Sequence, residues 1–327
     1  MLCKIILVNW KRASDTCACI TSLERTTGVE WLAVVCENGS PDNSASELQS
    51  FLAEKYTERI RSPATVPQVF DYYAEDSVIP RVTLVLSLTN LGFAGGNNLA
   101  YHHAPADIKA EFVWFLNNDT EVEPDTLSRM IERMKQDPSI GICGNTIVYA
   151  YDRKTVQVLG GVIYSPWSSL VREIGNGKTW PCTVDVNAVE ARMRYVSGAS
   201  ALVTSEFINR VGLMCEDYFL YYEEIDWAER GRKAGFRLGY APQAVVFHKE
   251  GAALGSGKST RRSMLAEYYG MVGRFAITRR FFPWALPTVY LFALLQTLRR
   301  YMQGYWARAY MMTEILLGLR RTPPEEK

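Results

Sequence analysis

Short apolar runs separated by amphipathic stretches organise the first 140 residues of the chain. The runs lie at residues 5–8, 31–36, 82–86 and 112–116. Runs of this length and composition are typical of strands that are buried on both faces of a parallel sheet. Apolar positions at helical spacing follow the first two runs, which indicates consecutive βα units. The pattern therefore predicts an α/β fold with a mostly parallel central sheet flanked by helices.

Capping residues predict where two of the helices begin. Ser14 or Asp15 is expected to cap the first helix, because short polar side chains satisfy the free N–H groups of a first turn. The stretch 90–98 is rich in Gly and Asn. We expect it to form a turn that precedes a helix starting near Asn97.

Two stretches break the regular alternation of strands and helices. Residues 60–80 contain three prolines and predict a loop or a poorly ordered insertion. Residues 150–195 hold several Gly and Pro positions and predict short, irregular β-like pieces. Strands are expected again at 195–203 and 237–247, so the sheet continues beyond the irregular region.

Three short polar residues follow the most apolar run without a linker. Asn117, Asn118 and Asp119 come directly after residues 112–116. In open α/β sheets the ligand crevice lies outside the carboxyl ends of the strands, which places Asp119 where a charged ligand would arrive. One carboxylate beside amides suits a hard divalent cation that takes its other ligands from water and phosphate. The alternative is an ordinary turn in which Asp119 or Thr120 caps the next helix.

Polar residues also follow the second and third predicted strands. Glu37 and Asn38 follow the second, and the stretch 90–98 follows the third. Its glycines allow positive φ angles and a close approach of backbone to ligand. The spacing does not match the Gly-x-Gly-x-x-Gly dinucleotide fingerprint. A plain Gly-rich turn with an Asn cap remains the alternative.

A second concentration of chemistry lies at residues 219–230, where three carboxylates stand among aromatic residues. Glu223, Glu224 and Asp226 would repel one another, and apolar neighbours raise a carboxyl pKa. One of the three is therefore a candidate general base. On a helix Glu223 and Asp226 share a face while Glu224 points elsewhere. The alternative is a helix start at which acids are favoured by the macrodipole.

The last predicted strand of the sheet ends in a histidine. His248 is placed like Asp119, at a strand end, and is a candidate metal ligand or a structural histidine. Residues 255–260 look like a P-loop but lack its first glycine. We interpret them as a basic loop in which Lys258, Arg261 and Arg262 can reach diphosphate oxygens.

The composition changes after residue 262. Residues 263–327 are predicted to be helical, basic and apolar, and residues 281–298 contain no charged side chain. Paired arginines flank this segment at 279–280 and 299–300. Its prolines, Gln296 and its aromatic residues favour a segment that lies at a membrane surface. A buried helical hairpin, a dimer interface or a membrane span remain alternatives.

Overall composition narrows the possible partners. The formal net charge is +1, and the sequence contains no nucleic-acid-binding motif, so nucleic acid is not an expected partner. The seven cysteines are scattered and form no Cys-x-x-Cys pair, which argues against a disulfide framework and a zinc site. The first residues predict a core strand rather than a signal peptide. We therefore expect a cytoplasmic protein, at the inner face of the cell membrane.

Five motifs in this order resemble one known family. They are Val8-Asn9-Trp10, Glu37-Asn38-Gly39-Ser40, the stretch 90–98, Leu116-Asn117-Asn118-Asp119-Thr120 and Glu223-Glu224-Ile225-Asp226-Trp227. Together they resemble the family 2 glycosyltransferases of the GT-A fold, in particular the rhamnosyltransferase-like branch. The resemblance covers roughly residues 3 to 260, and a helical tail with Tyr268-Tyr269 is also typical of that branch.

The resemblance implies a role for each matching residue. Asp119 and His248 would hold Mg²⁺ or Mn²⁺ against the donor diphosphate. Glu224 matches the catalytic base, with Asp226 as the alternative base, and Glu223 and Trp227 are expected to position the acceptor. The donor nucleotide would be bound by Asn9, Glu37, Asn38, Asn90, Gly92, Asn97, Asn118 and Lys258.

Three positions depart from the family's pattern. Glu37 stands where Asp is usual, which would alter contacts to the base or the ribose. Asn117 replaces the first acid of the metal motif and leaves fewer anionic ligands. Glu224 replaces Asp and lengthens the base by one methylene.

The implied activity is inverting transfer of a sugar, rhamnose among the candidates, from a nucleotide-diphosphate donor to a glycan or lipid-linked glycan in surface polysaccharide synthesis. Residues 1–262 would form the GT-A domain, with a nucleotide-sugar half to about 120 and an acceptor half from about 121. Residues 263–327 would form the tail, which could contact membrane or a second copy in a homodimer. A nucleotidyltransferase acting on sugar phosphates and a catalytically silent sugar-binding protein are the alternative functions.

Overall fold

The computed structural model describes residues 1–62, 67–249 and 263–324. The first part of the chain alternates strands with three helices. Its elements are β1 (Leu2–Asn9), α1 (Ala13–Leu23), β2 (Glu30–Glu37), α2 (Ser44–Lys55), β3 (Thr57–Ser62), β4 (Gln68–Tyr73), β5 (Val82–Leu86), α3 (Gly92–His103), β6 (Phe112–Leu116) and β7 (Thr120–Val122).

The second part contains the remaining strands and four shorter helices. Its elements are α4 (Thr126–Gln136), β8 (Ile140–Tyr149), β9 (Val156–Leu159), β10 (Gly161–Ser165), β11 (Leu170–Glu173), α5 (Val186–Glu190), β12 (Tyr195–Val196), β13 (Ser200–Thr204), α6 (Ser205–Val211), α7 (Glu223–Lys233) and β14 (Arg237–His248). The C-terminal part is helical, as predicted. It consists of α8 (Met264–Phe281), a 3₁₀ turn (Pro283–Ala285), α9 (Leu286–Met302) and α10 (Trp306–Leu316).

One large mixed sheet forms the centre of the fold. Its strand order is β3-β4-β5-β2-β1-β6-β13-β8-β14-β7, with β9 paired to β8, and β11-β10-β12 form a small separate sheet. Strands β5, β2, β1 and β6 are parallel neighbours, so their carboxyl ends meet at one edge. Strand β13 runs antiparallel between β6 and β8. The predicted α/β sheet flanked by helices is confirmed, and its parallel part is the half that carries the strand-end motifs.

Burial on both faces explains why the four parallel strands have few polar residues. One apolar cluster, which includes Trp31 and Trp114, lies under α1, α2 and α4. A second, which includes Phe115 and Trp227, lies on the opposite face with α3, α6 and α7. Strand β6 is buried along its whole length, because both of its faces are covered.

The prediction of a loop at residues 60–80 is wrong for residues 60–62 and 68–73, which lie in strands, whereas residues 74–80 do form a loop. Strands β3 and β4 form an antiparallel hairpin that joins the sheet through β5. Buried Asp71 in β4 accepts three hydrogen bonds, two from the guanidinium of Arg61 at 2.5 and 2.7 Å and one from the Thr83 hydroxyl at 2.6 Å. These partners, which are distant in sequence, stabilise a polar residue inside a strand, and a local pattern cannot reveal them.

The predicted helix starts need correction. Helix α3 begins at Gly92 rather than near Asn97, so the glycines lie inside its first turns. A Cβ at Gly96 would lie 2.9 Å from a Val8 methyl and 3.0 Å from the Asn38 amide nitrogen, which means that glycine allows α3 to pack closely on the sheet. Helix α1 begins after Arg12, whose φ is 58°, without a side-chain cap.

The expected caps have other roles. Asp15 accepts ion pairs from Arg12 at 2.8 Å and from Lys249 at 2.7 Å instead of capping α1. Thr120 begins β7, and α4 follows Asp125 without a side-chain cap. Residues 118–119 do form a turn, but neither Asp119 nor Thr120 caps α4 as the alternative required.

The C-terminal helices pack against the rest of the protein. Residues of α8, α9 and α10 share an apolar cluster with Tyr164, Tyr218 and Ile225. Tyr269 stacks on Phe219, with ring centroids 4.6 Å apart. Within the described residues, no helix is both long enough and apolar enough to cross a bilayer.

Candidate active site

The carboxyl ends of β1 and β6 meet in a small polar network. The Asn9 side-chain oxygen accepts hydrogen bonds from the Thr16 hydroxyl at 2.7 Å and from the Asn118 amide at 3.3 Å, and Asn118 also donates to Thr16 at 2.9 Å. The amide nitrogen of Asn9 is buried and has no hydrogen-bond partner among the described residues. A buried donor without a partner is costly, so this edge has unused capacity to bind a polar ligand.

Residues at the end of β2 support the loop before α3. The Asn38 side chain donates to the Asn90 side chain at 3.1 Å and to the Gly92 carbonyl at 3.0 Å, and its oxygen accepts from the Leu91 N–H at 3.0 Å. The Glu37 carboxylate accepts from the Ser40 N–H at 3.0 Å. The sequence placed these residues together correctly, and their contacts hold the backbone of the loop in place.

Gly92 connects this loop to the segment that carries the acids. Its φ is 74°, and a Cβ there would lie 2.3 Å from the Phe219 carbonyl oxygen. The next N–H, that of Phe93, donates to the same oxygen at 2.9 Å. Any side chain at position 92 would therefore separate the two segments.

Asn97, expected to bind the donor, is part of α3. It is buried, and its amide donates to the Phe93 carbonyl one turn earlier at 2.9 Å. This expectation is corrected, because the helix begins five residues earlier than predicted. Lys258 lies outside the described residues.

The structure brings Asp119 and His248 together. Antiparallel pairing of β7 with β14 sets His248 opposite Thr120, and the His248 Nε2 lies 3.1 Å from an Asp119 oxygen. The Asp119 side chain is 13% exposed and the His248 side chain is 8% exposed. The other ring nitrogen of His248 lies 2.8 Å from the Gln157 side-chain oxygen, which fixes the orientation of the ring.

Electrostatics keep Asp119 ionised. Burial raises the pKa of this carboxyl. His248, by its charge and its hydrogen bond, and Lys249, by its charge, lower the pKa by more than burial raises it, so the net pKa lies below the ordinary value. Lys249 also donates its backbone N–H to the Asp119 carbonyl at 3.0 Å. No local pattern singled out Gln157, because β9 lies within the irregular stretch 150–195.

Asp119 and His248 fit a divalent cation that shares its ligands with a phosphate group. Among the residues that the structure describes, no group of three or more His, Cys, Asp or Glu could hold a metal alone. A carboxylate and an oriented imidazole leave the remaining positions to diphosphate oxygens and water, which is typical of Mg²⁺ sites at nucleotides. The arrangement does not suit a site built of protein ligands only.

The three acids of α7 have different surroundings. Glu223 is 2% exposed, and one of its carboxylate oxygens has no hydrogen-bond partner among the described residues. Glu224 is half-buried and lines a cavity. Burial raises the pKa of both, and for Glu223 the neighbouring charge of Glu224 raises it further. Glu224 is therefore the acid of this pair that can meet a substrate.

Gly198 makes room for the Glu224 carboxylate. A Cβ at position 198 would lie 2.5 Å from a Glu224 oxygen. The Gly198 backbone also forms a hydrogen bond that partly offsets the rise in the pKa of Glu224. The sequence did not single out Gly198, because nothing local links it to α7.

Asp226 is fully buried and already paired. Its carboxylate receives Arg230 at 2.5 Å and Arg280 at 3.2 Å, and the Tyr218 hydroxyl lies 3.5 Å away. A carboxylate held by two guanidinium groups is a poor proton acceptor. The alternative of Asp226 as the base is corrected: it joins α7 to α8.

Trp227 and Glu223 do not reach the cavity that Glu224 lines. The Trp227 ring packs edge-on between Phe115 and Phe207, and its indole N–H donates to the Gly212 carbonyl at 2.8 Å. Direct positioning of an acceptor by these two residues is therefore corrected to a structural role. Helical spacing explains the difference, since Glu223 and Trp227 lie four residues apart on one face of α7 and Glu224 lies on another.

The cavity beside Glu224 has a volume of about 760 Å³. The small β10-β11 region lines one side with Leu170 and Val171, and α8 and α9 line the other with Arg274 and Phe292. Its size is that of a small-molecule site. The sequence predicted the acid but not the wall formed by the C-terminal helices.

Comparisons with known proteins agree with this geometry. The chain is 23% identical over 161 residues to the low-salt glycan biosynthesis hexosyltransferase Agl10 of Haloferax volcanii. The aligned segment covers 49% of this chain and 50% of that protein. The chain is 24% identical over 160 residues to the N-acetylglucosaminyl-diphospho-decaprenol L-rhamnosyltransferase of Mycobacterium tuberculosis, 44% of this chain and 49% of that one. The chain spans about half the length of these curated relatives.

Two solved structures share the fold at low identity. A mannosyltransferase from Pyrobaculum calidifontis, in complex with GDP-Man and Mn²⁺, aligns with a TM-score of 0.52 and 15% identity over 97% of this chain and 85% of its own. GalNAc-T7 with UDP, GalNAc and Mn²⁺ aligns with a TM-score of 0.54 and 13% identity over 76% of this chain and 43% of its own. These likenesses confirm the predicted GT-A fold.

Family membership follows from the first part of the chain. The family model described as Glycosyl transferase family 2 matches residues 4–194, which is more than half of the sequence. The match includes β1, the loop before α3 and the Asp119 edge. The chain belongs to the family 2 glycosyltransferases.

Proposed function

We propose that the protein is a divalent-metal-dependent, inverting glycosyltransferase that moves a hexosyl unit, rhamnose among the candidates, from a nucleotide-diphosphate donor to a glycan or lipid-linked glycan. The observation that carries the proposal is the position of Glu224. It is the acid of α7 that lines the cavity, whereas Glu223 is enclosed and Asp226 is ion-paired. The hexosyl and rhamnosyl activities named for the curated relatives support the choice of reaction.

The donor would lie at the carboxyl edge of β1, β2 and β6. Asn9, Glu37, Asn118 and the backbone of the loop before α3 line this edge and supply polar groups for the nucleotide. Asp119 and His248 would hold Mg²⁺ or Mn²⁺, which supplies charge stabilisation for the departing diphosphate when it is bound. The Mn²⁺ named with the two solved structures of the same fold supports this assignment.

Glu224 would act as the general base. Its raised pKa makes it a stronger proton acceptor than an ordinary glutamate. An acceptor hydroxyl in the cavity would lose its proton to the Glu224 carboxylate as its oxygen bonds to the anomeric carbon. The bond from that carbon to the nucleotide diphosphate breaks on the opposite side. A single displacement of this kind inverts the anomeric configuration.

The C-terminal helices would place the protein on the inner surface of the cell membrane. Large apolar side chains of α9 and α10 are exposed, including Leu291, Leu294, Leu298, Trp306 and Tyr310. Exposed arginines at 279 and 299 add positive charge beside them. Apolar burial and attraction to anionic lipids act together in interfacial helices. A second copy of the chain is the alternative occupant of this face.

The proposal is tested by donor screening. Thermal shift with dTDP-, UDP- and GDP-sugars, dTDP-L-rhamnose included, each with and without Mn²⁺, should identify one donor that stabilises the protein. That donor should then be hydrolysed slowly without acceptor and consumed faster with a glycan acceptor. If no nucleotide sugar stabilises the protein or is turned over, the proposed function is rejected.

A further inference from the structure

A strained turn lies directly before the helix that carries Glu224. Tyr221 and Tyr222 both have a left-handed backbone conformation, with φ angles of 70° and 77°. This conformation suits glycine, whereas the Cβ of another residue comes too close to the following carbonyl oxygen. Tyr222 is the N-cap residue of α7, and its side chain makes no cap hydrogen bond. Local preferences therefore do not favour this turn, and contacts with other parts of the protein have to hold it.

Two consecutive non-glycine residues with positive φ occur at only two places in the part of the chain that the structure describes. The first pair is Lys11 and Arg12, which lies shortly after β1 at the donor edge, and the second is Tyr221 and Tyr222. Strained backbone concentrates at functional sites, where the surrounding structure enforces it. Because the second pair immediately precedes α7, its conformation determines where the first turn of that helix lies, and with it Glu224.

One face of α8 contacts the segment 219–226 at three successive points. The three residues of α8 are four and seven positions apart along the helix, a spacing that places them on one side. The contacts are the ring stack of Tyr269 on Phe219 at 4.6 Å, the close approach of Gly273 to Tyr222, and the ion pair of Arg280 with Asp226 at 3.2 Å. Helix α8 therefore supports this segment on both sides of the strained turn.

Gly273 makes the contact with the strained turn itself. A Cβ at this position would lie 2.6 Å from Tyr222 Cδ2 and 3.5 Å from the Tyr221 carbonyl oxygen. Cδ2 belongs to the rigid part of the ring next to Cβ and Cγ, so rotation of a flexible chain end cannot make room for an added methyl group. Glycine therefore allows α8 to approach the turn this closely.

Glu224 has little room on its other side. A Cβ at Gly198, in the loop between β12 and β13, would lie 2.5 Å from Glu224 Oε1. The carboxylate therefore lies in a slot between Gly198 and the cavity, two residues after Tyr222. A shift of the turn would move it out of this slot and away from the hydroxyl that it would deprotonate. Misplacement of a reacting group by about 1 Å can cost on the order of 10²-fold in rate.

We propose that Tyr222 and Gly273 are positioning residues for Glu224. Helix α8 holds the turn 221–222 in its left-handed conformation through the contact at Gly273, and the turn keeps the carboxylate in the slot beside Gly198. The first C-terminal helix then orients the base, a role separate from contact with a membrane. This inference rests on the proposed function, in which Glu224 is the general base.

The experiment compares Gly273→Ala with Gly270→Ala in the full chain. Both variants add one methyl group to α8, but a Cβ at Gly270 meets no atom within 4 Å outside its own helix. The probe is the dTDP-, UDP- or GDP-sugar that stabilises the wild type in the thermal-shift screen. Its hydrolysis without acceptor, in which water takes the place of the acceptor hydroxyl, measures turnover.

The two variants should differ in turnover and not in donor binding. At saturating donor, Gly273→Ala should lower turnover about tenfold or more, whereas Gly270→Ala should stay within about twofold of the wild type. Calorimetric donor affinity should be unchanged in both, because the proposed donor site does not include α8. Equal turnover of the two variants would overturn the proposal.

Tyr222→Gly tests whether the effect of Gly273→Ala passes through the tyrosine ring. Glycine adopts the left-handed conformation without strain, and the variant lacks the ring that the added methyl group would meet. Tyr222→Gly alone should be slower than the wild type, because the ring no longer connects the turn to α8. In this background Gly273→Ala should change turnover by less than about twofold. Wild-type turnover in Tyr222→Gly, or equal losses from Gly273→Ala in both backgrounds, would contradict the proposal.

Carboxyl labelling gives a readout that needs neither donor nor acceptor. A carbodiimide with glycine ethyl ester labels accessible carboxyl groups, and mass spectrometry locates the label. Glu224 should be labelled faster in Gly273→Ala than in the wild type, while the exposed Glu206 is labelled at the same rate in both. Unchanged labelling of Glu224 would reject the positioning role. If the labelling changes as expected but the wild type turns over no nucleotide sugar, the proposed function is rejected and the positioning of Glu224 by α8 stands.

Discussion

The donor edge and the acceptor cavity each contain a partly buried carboxylate, Asp119 and Glu224, and the surroundings shift the two pKa values in opposite directions. At the donor edge His248 and Lys249 outweigh the effect of burial, so the pKa of Asp119 is lowered. In the cavity burial prevails, and the pKa of Glu224 is raised. Asp119 therefore stays charged and suits a cation, whereas Glu224 suits a proton. The comparison shows that cationic neighbours, rather than residue type, divide the two tasks.

The sharpest test of this comparison is Glu224→Gln. The amide keeps the shape of the side chain but cannot accept the proton, so transfer should fall about 10²-fold or more. Donor affinity should stay near the wild-type value, because the proposed nucleotide site lies at the carboxyl edge of β1, β2 and β6 and does not include Glu224. Transfer rates and calorimetric donor affinity measured together check this. Near-normal transfer would remove Glu224 from the base role.

Asp226→Asn extends the comparison to a carboxylate that is ion-paired with two arginines, Arg230 and Arg280. Breaking a buried ion pair should reduce the free energy of unfolding by about 3 kcal/mol. Urea denaturation measures the loss. Glu206→Gln is the control, since the pair of Glu206 with Arg210 is exposed and should contribute little. A stable Asp226→Asn protein with abolished transfer would return Asp226 to the catalytic role.

Removal of divalent cations should weaken donor binding about tenfold or more, because Asp119 then repels the donor diphosphate. Calorimetry with and without chelator measures the effect. In Asp119→Asn the dependence on Mn²⁺ should largely disappear, since one ligand and the repelling charge are both lost. Equal affinities for the wild type under both conditions would separate Asp119 and His248 from metal binding.

The pH dependence of transfer should report on Glu224. Its pKa is raised, so the deprotonated form that accepts a proton forms at higher pH than in an ordinary glutamate. Transfer at saturating substrate should therefore rise with pH, with its acid limb above the usual glutamate range, and then level off. Transfer rates measured from pH 4 to 9, at intervals of about half a pH unit, test this expectation. An acid limb that persists in the residual activity of Glu224→Gln would assign it to another group.

The smallest expected effect concerns the exposed apolar face of α9 and α10 on the acceptor side. Arg279→Gln combined with Arg299→Gln should weaken binding to anionic liposomes by about 1 kcal/mol per charge at low salt. Flotation measures it, with Arg25→Gln as a control far from the tail. An unchanged bound fraction would favour a second copy of the chain as the occupant of this face.

The sequence was informative where one segment determines its own structure. The apolar runs at 82–86 and 112–116 match β5 and β6 residue for residue, since burial on both faces requires continuous apolar side chains. The strand-end rule also located Glu37 and Asp119 at one edge, and the family resemblance added Asn9. These are local patterns combined with one general rule of sheet topology.

Features that depend on distant partners were missed. His248 is oriented by Gln157, which is 91 positions away. Asp226 looks like a base until Arg280 of α8 is placed beside it. Strands β3 and β4 need Arg61 to neutralise Asp71. In each case a side chain's role depends on a charge or amide that approaches only in the folded protein.

The shared core of the C-terminal helices and the acceptor half has a consequence for synthesis. A nascent chain that has been translated only to residue 262 contains the residues of the donor edge. It lacks Arg280, which pairs with Asp226, and Tyr269, which stacks on Phe219. It also lacks the apolar side chains of the C-terminal helices that share a cluster with Ile225. Helix α7 then exposes part of an apolar surface, and Asp226 keeps Arg230 as a partner but lacks Arg280. The contacts described for the donor edge thus come from residues 1–249, whereas the surroundings of Asp226 and Phe219 also need residues of α8.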